Sequence, residues 1–210
     1  MLFTEPIFGL FLAVVLGLQW FVIGSNQRRK WMLLTASYVF YGAWDVRFLS
    51  LIIASTLIDH LAATQIHRSD DQRVRRGWML LSLSANLGML GVFKYANFFA
   101  DSLQDLLNGF GADVSDVTLN ITLPVGISFF TFQTLSYTID VYRGTLEPRK
   151  SLLDVAVFVA FFPQLVAGPI VRAAHFLPQL DTKRRLADVP WRAAITLFFV
   201  GFFKKAVVAD

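Results

Sequence analysis

Residues 6–24 read PIFGLFLAVVLGLQWFVIG and contain no charged side chain. As a helix this stretch would be about 28 Å long, which is enough to cross the hydrocarbon core of a bilayer. Glu5 precedes it, whereas Arg28, Arg29 and Lys30 follow it. A cleavable signal peptide carries its positive charges before the apolar stretch, so this order predicts a membrane anchor with an external N-terminus.

The composition of the whole chain indicates a membrane protein. Of its 210 residues 55% are hydrophobic and 16% charged, and the mean hydropathy is +0.55, whereas a soluble domain has about 25% charged residues. This excludes a soluble enzyme domain and a disordered linker, and the absence of cysteine excludes a disulfide scaffold and a thiolate metal site. The net charge of +4 comes from basic residues beside apolar runs, a pattern typical of cytoplasmic loops rather than of nucleic-acid binding.

Long apolar runs separated by short charged segments predict an all-α polytopic membrane protein. It would have about five transmembrane helices, a re-entrant element and a truncated last segment. All of these would form one membrane domain over residues 1–210. Basic residues follow the first, third and fifth runs, which places those loops in the cytoplasm. The five apolar runs are residues 6–24, 31–44, 48–66, 78–93 and 119–141.

Residues 95–118 contain four aspartates and no lysine or arginine, which predicts an external segment. Leucine and phenylalanine recur there at spacings that would form the apolar face of an interfacial helix. Gly109 and Gly111 would end that helix.

The sixth apolar run, residues 151–171, has basic residues at both ends. Arg149 and Lys150 precede it and Arg172 follows it, so both ends are predicted to be cytoplasmic. Pro163 and the Gly168-Pro169 pair would interrupt a helix. We therefore predict a re-entrant element over residues 151–172, with Phe162 to Arg172 as the candidate lining of a cavity, because non-helical backbone at membrane depth needs protein or water around it.

A polar stripe runs along the fifth apolar run. Ser128, Thr131, Thr134 and Thr138 are spaced by three, three and four residues, which gathers them on one side of a helix. Such a stripe faces either neighbouring helices or a water-filled cavity, and the spacing alone leaves both interpretations open.

Ionisable residues suggest few sites for chemistry. Asp59 and His60 lie within an apolar run, where such residues are functional candidates, although adjacent helical residues do not face one another. We interpret His67 as a loop residue and His175 as structural or interfacial. The sequence contains no phosphate-binding loop, nucleophile elbow or zinc motif, so the residues alone do not indicate a reaction.

Several segments resemble the membrane-bound O-acyltransferases, and within that family the bacterial branch of alginate O-acetyltransferase. The matching segments occur in the family's order. They are YVFYGAWD at 38–45, KYANF at 94–98, LPVGISFFTFQTLSYTIDVYRG at 123–144, FPQLVAGPIVR at 162–172 and GFFKKAVVAD at 201–210.

The resemblance implies a multi-pass enzyme of the bacterial inner membrane. It would transfer an acyl group, commonly acetyl, from a cytoplasmic thioester such as acetyl-CoA toward hydroxyls of an exported polysaccharide such as alginate or of a cell-wall glycan. No bound cofactor or metal is implied, and extracytoplasmic acyltransferase proteins are the expected partners besides the bilayer and the donor. No nucleic acid is expected as a partner.

The catalytic base implied by the resemblance is a histidine in a later membrane helix. His60, His67 and His175 lie in the wrong segments to match it, so no catalytic residue is assigned and the residues that bind the donor are unknown. The chain is expected to be the N-terminal part of a longer enzyme. A catalytically incomplete scaffold of an acylation complex is the alternative, and a transporter is disfavoured because only one broken segment is visible.

Overall fold

A computed structural model describes residues 5–22, 24–110, 122–165, 170–182 and 186–209. Within these ranges all regular structure is helical and no strand occurs, which confirms the predicted all-α class. The α-helices are α1 (Pro6–Gly17), α2 (Asn26–Asp45), α3 (Leu49–Arg68), α4 (Gln72–Gly109), α5 (Ile127–Tyr142), α6 (Leu152–Ala160), α7 (Phe162–Leu165), α8 (Ala173–Asp181) and α9 (Trp191–Phe203). A π-helical turn, Leu18–Val22, continues α1, and a second one, Lys204–Ala209, continues α9.

Short polar side chains set several of these boundaries. Asp45 leaves the helical conformation and its carboxylate accepts a hydrogen bond from the backbone N–H of Arg47 at 2.9 Å, which separates α2 from α3. The carboxylate of Asp71 accepts from the backbone N–H of Arg73 at 2.8 Å and caps α4. Such caps satisfy backbone donors that have no partner inside the helix.

Helix α4 is longer than the fourth apolar run. The sequence predicted a boundary at Lys94, but the helix continues without a break to Gly109. The residues between Gly91 and Gly109 include no proline or glycine, so nothing in the backbone stops the helix there. The interfacial position of residues 95–118 stays a prediction, and residues 111–118 lie outside the described ranges.

Helix α5 is shorter than the fifth apolar run. That run was predicted to start at Leu119, but the first described helical residue after it is Ile127. Pro124 and Gly126 lie in the turn before the helix, and Gly126 has a φ of 77°, a left-handed conformation that favours glycine.

The helices form two connected layers around a common core. Helices α3, α4 and α5 pack on one another, while α6 packs on both α2 and α3, which contact each other less than either contacts α6. On the other side of α2, Phe8 of α1 packs against Phe40 with ring centroids 5.9 Å apart, and Phe40 lies 5.7 Å from Phe162. Through Phe162, the broken α6–α7 segment therefore contacts α2, and Phe8 of α1 packs on the same rings.

The sixth apolar run does not form one straight helix, and with α8, which begins after it, it makes a hairpin of α6 to α8. Helix α6 is about 13 Å long, ends at Ala160 and is followed by α7, with Pro163 in its first turn. Helix α8 then packs back on α6, and the rings of Phe158 and Phe176 are 5.6 Å apart. The predicted Gly168-Pro169 break falls in residues 166–169, outside the described part.

The surface of the protein is strongly apolar. Large side chains such as Leu80, Leu81 and Phe98 on α4, and most of α9, are exposed, whereas Asp59 and several threonines are completely buried. Two described segments are long and apolar enough to cross a membrane, namely Asn26–Arg68, which contains α2 and α3, and Gln72–Gly109. Exposed apolar faces around a buried polar interior are expected of a membrane protein.

Candidate functional site

A cavity of about 480 Å³ lies beside the broken hairpin. It is bounded by the π-helical turn after α1, by α2, by α7 and by α8. Its walls combine aromatic and aliphatic side chains with three glutamines and one arginine, a mixture typical of a small-molecule site. The lining residues are Gln19, Trp20, Arg29, Leu33, Phe161, Gln164, Val171, Phe176, Gln179, Leu180, Thr182 and Val189.

Part of this lining was predicted from the sequence. Gln164 and Val171 belong to the candidate lining Phe162 to Arg172, and both reach the cavity. Gln164 is held in place because its Nε2 donates a hydrogen bond to the carbonyl of Phe158 at 3.1 Å. Most of the remaining walls come from the π-helical turn after α1, from α2 and from α8, which no motif had connected to this segment.

Arg29 fixes the end of α8 at the cavity wall. Its guanidinium donates to the carbonyl of Leu180 at 2.9 Å and to that of Thr182 at 3.2 Å, while the Asn26 amide donates to Leu180 at 2.8 Å. The last carbonyls of a helix lack internal partners and carry partial negative charge, so a cation stabilises them. Arg29 was predicted to lie in a cytoplasmic loop, but it belongs to the first turn of α2 and is only 7% exposed.

Lys30 was also predicted to be a loop charge, and it too is buried. Its Nζ lies 2.7 Å from the carboxylate of Asp154 on α6 and 3.7 Å from that of Asp181 at the end of α8. Asp181 also pairs with Arg149 at 2.9 Å. The two ends of the α6–α8 hairpin therefore meet at one charged cluster on α2.

The motif NQRRK at residues 26–30 contained a signal for this arrangement. Asn26, Arg29 and Lys30 stand at positions i, i+3 and i+4 and so share one helix face. Charged residues in a loop would not need to follow this helical spacing. The sequence could therefore have indicated a helical contact surface, although not its partners more than 120 residues later.

A second polar cluster joins α3, α4 and α5. The carboxylate of Asp59 accepts hydrogen bonds from the hydroxyl of Ser82, from the Thr138 hydroxyl at 2.8 Å and from the Asn86 amide at 3.0 Å. The side-chain oxygen of Asn86 accepts a hydrogen bond from the hydroxyl of Ser55, so both ends of this amide have a partner. All of these side chains are buried, so the cluster is a set of interhelical contacts of the kind that holds membrane helices together.

The polar stripe of α5 packs against its neighbouring helices. Thr131, Thr134 and Thr138 are fully buried, and Thr138 bonds Asp59 directly, whereas Ser128 is half-buried. None of the four lines the cavity beside the hairpin. Of the two open interpretations, helix packing is the one that the geometry favours.

The three histidines lie away from the cavity. His60 and His67 line a separate cleft at the end of α3, and His175 is exposed on α8. His60 and Asp59 belong to different surroundings despite being adjacent, as their helical positions implied. In the described ranges no three or more histidine, aspartate or glutamate side chains form a group that could hold a metal ion.

Known proteins match the chain over its entire length. It is 40% identical to the probable alginate O-acetylase AlgI of Pseudomonas aeruginosa and 38% identical to that of Pseudomonas putida, covering 40% and 43% of those proteins. It is 32% identical to the peptidoglycan O-acetyltransferase of Helicobacter pylori, of which it covers 45%. The names of these relatives agree with the resemblance of the chain to the membrane-bound O-acyltransferases.

The chain spans less than half the length of the relatives that it matches. No protein-family model matches it, and no solved structure does.

Proposed function

We propose that the chain is the membrane part of an O-acetyltransferase that modifies an exported polysaccharide such as alginate, or a cell-wall glycan. The observation that carries this proposal is the match over the whole chain to relatives named for these two activities. The acceptor would be a hydroxyl outside the cytoplasm, and extracytoplasmic acyltransferase proteins would assist its delivery.

The proposal includes a multi-pass arrangement in the bacterial inner membrane. Helices α2 and α3 each have 20 residues, which gives each about 30 Å, the thickness of the hydrocarbon core. Together with α1, α4 and α5 they would form five crossings. The hairpin of α6 to α8 would enter and leave on the cytoplasmic side, and the ion pair between Arg149 and Asp181 supports this because it joins the two ends.

The cavity beside the hairpin would receive the thioester donor, which we propose to be acetyl-CoA. The arm that carries the thioester is a thin chain with alternating apolar and amide groups. Phe161 and Phe176 offer apolar contact to such a chain, and the carboxamides of Gln164 and Gln179 can exchange hydrogen bonds with its amides. A cavity on the side of the basic loops would be open to a cytoplasmic donor.

The chemistry requires a base that removes the proton of the acceptor hydroxyl as its oxygen attacks the thioester carbonyl. None of the three histidines of this chain lines the cavity. We therefore propose that residues after position 210 of a longer chain provide the base, as the family resemblance implies. The hairpin and its cavity would position the donor.

Transfer of labelled acetyl in proteoliposomes tests this function. Acetyl-CoA is supplied on the side of the basic loops and the polysaccharide on the other, with the whole enzyme and its partner proteins present. The variant Val171→Trp fills the cavity, whereas Ala174→Trp adds the same ring at an exposed position of α8 outside it.

We expect Val171→Trp to lower acetyl transfer by about tenfold or more, since misplacing a donor by about 1 Å is already costly, and Ala174→Trp to leave transfer unchanged. Equal transfer by both variants would show that the donor does not use this cavity. Absence of transfer by the wild-type assembly to any of the polysaccharides would instead support a non-catalytic scaffold.

A further inference from the structure

A second concave site lies at the end of α3 that carries the basic loop. Its volume is about 450 Å³, and its walls come from the last turns of α3 and from the segment before α6, two parts of the chain about 80 residues apart. The lining residues are His60, Thr64, His67, Arg68, Glu147, Pro148, Arg149 and Lys150. None of them lines the cavity beside the hairpin.

The charge of this cleft is positive. Arg68, Arg149 and Lys150 oppose the single carboxylate of Glu147, which leaves a formal charge of two with the histidines neutral. Arg149 is already paired with Asp181. In the part of the chain that the structure describes, Arg68 and Lys150 have no carboxylate within ion-pair distance, and both are exposed.

The helix dipole does not cancel this charge. The end of α3 places about half a negative charge beside the cleft, and one cation is enough to offset it. The positive-inside rule places basic residues in cytoplasmic loops but does not require them to line one concavity. Here they converge on one concavity, which is the arrangement that an anion requires.

An apolar stripe leads from the cleft along α3. Ile53, Leu57 and Leu61 are 40%, 42% and 55% exposed, and they continue at helical spacing into Thr64 and Arg68 of the cleft wall. The stripe lies within one of the two segments that are long and apolar enough to cross a membrane. A ligand that filled both surfaces would have a charged head and an apolar tail.

We propose that this cleft binds the phosphate of an anionic phospholipid, whose acyl chain lies along Ile53, Leu57 and Leu61. Basic pockets between membrane helices on the cytoplasmic side favour anionic headgroups. A soluble phosphate would use the cations but not the stripe, so the stripe distinguishes a lipid from a free anion. A bound lipid would also contact Arg149, whose ion pair with Asp181 closes the hairpin.

Lipid binding can be measured with the protein in nanodiscs of phosphatidylcholine that contain a short-chain fluorescent phosphatidylglycerol as the probe. The test variant Arg68→Gln/Lys150→Gln removes two cleft charges. The matched control Arg73→Gln/Arg76→Gln removes two exposed charges of the same basic region that do not line the cleft. Monodisperse elution in detergent checks that both variants fold.

We expect the cleft variant to weaken probe binding by about 25-fold, since each basic residue that contacts the anionic headgroup contributes about fivefold. The control should weaken it by less than about fivefold, because Arg73 and Arg76 do not line the cleft. Equal weakening by both variants would mean that the region attracts anions without a site and would overturn the proposal.

The apolar stripe is tested separately with Leu57→Ser/Leu61→Ser. This variant should weaken probe binding while leaving competition by inorganic phosphate or glycerol phosphate unchanged. If glycerol phosphate displaces the probe as effectively as unlabelled phosphatidylglycerol does, the site takes a soluble phosphate and the lipid proposal fails.

Discussion

The buried ion pair between Lys30 and Asp154 allows a quantitative prediction. The two side chains are only 9% and 7% exposed and their charged atoms are 2.7 Å apart. Removing one partner of such a pair leaves an uncompensated charge and destabilises a protein by about 3–5 kcal/mol. We expect Asp154→Asn to lie at the lower end, because Asp181 remains 3.7 Å from Lys30.

The double variant Lys30→Met/Asp154→Leu should recover most of this loss. It removes both charges and fills the space with apolar atoms, a replacement that is often neutral or stabilising. The exposed Arg47, which pairs with Asp45 at 2.6 Å with its side chain 77% exposed, provides the control: Arg47→Met should leave stability close to that of the wild type, because surface ion pairs contribute little.

The assay is reversible unfolding in mixed detergent micelles, with the free energy extrapolated to native conditions. A double variant as unstable as the sum of the two single variants would show that the residues do not interact. A loss below about 1 kcal/mol for Asp154→Asn would show that the site is solvated. Either result would refute the assignment of this pair as the anchor of the hairpin on α2.

Two further predictions concern the stability of the helix bundle, and the same unfolding assay checks both. Asp59→Ala leaves Ser82, Asn86 and Thr138 without their acceptor and should lower the free energy of unfolding by about 2–4 kcal/mol. The control Ser136→Ala removes a hydroxyl bonded only within α5 and should lower it by less than about 1 kcal/mol. Similar losses for the two variants would contradict the role of the cluster. Gly126→Ala should cost about 1–2 kcal/mol because φ is 77°, while Gly77→Ala, with open space around it in α4, should be neutral or stabilising.

The helices themselves were largely predictable from the sequence. Helices α2 and α3 follow apolar runs separated by Asp45 and Arg47, and a local carboxylate cap forms their boundary. The boundaries that were predicted wrongly depend on backbone propensity rather than on hydrophobicity. Lys94 does not stop α4, because lysine is a good helix former. Pro124 and Gly126 delay the start of α5 although the run is apolar.

The tertiary contacts of the charged residues were not predictable. The sequence shows that Arg29 and Lys30 follow an apolar run, which is also true of solvated loop residues. Their burial depends on carbonyls of α8 and on Asp154, which are distant in the chain. The threonine stripe was more informative, because its period identifies a face, and only the packing of α3 and α4 could show what covers it.

The central claim is that the segment from Arg149 to Asp181 enters and leaves on one side of the membrane, next to the proposed donor cavity. The chain has no native cysteine, so Glu147→Cys and Thr182→Cys, both at exposed positions, can be labelled in sealed vesicles of known orientation with an impermeant thiol reagent. We predict that both cysteines react only from the cytoplasmic side. Labelling of the two positions from opposite sides would contradict the account.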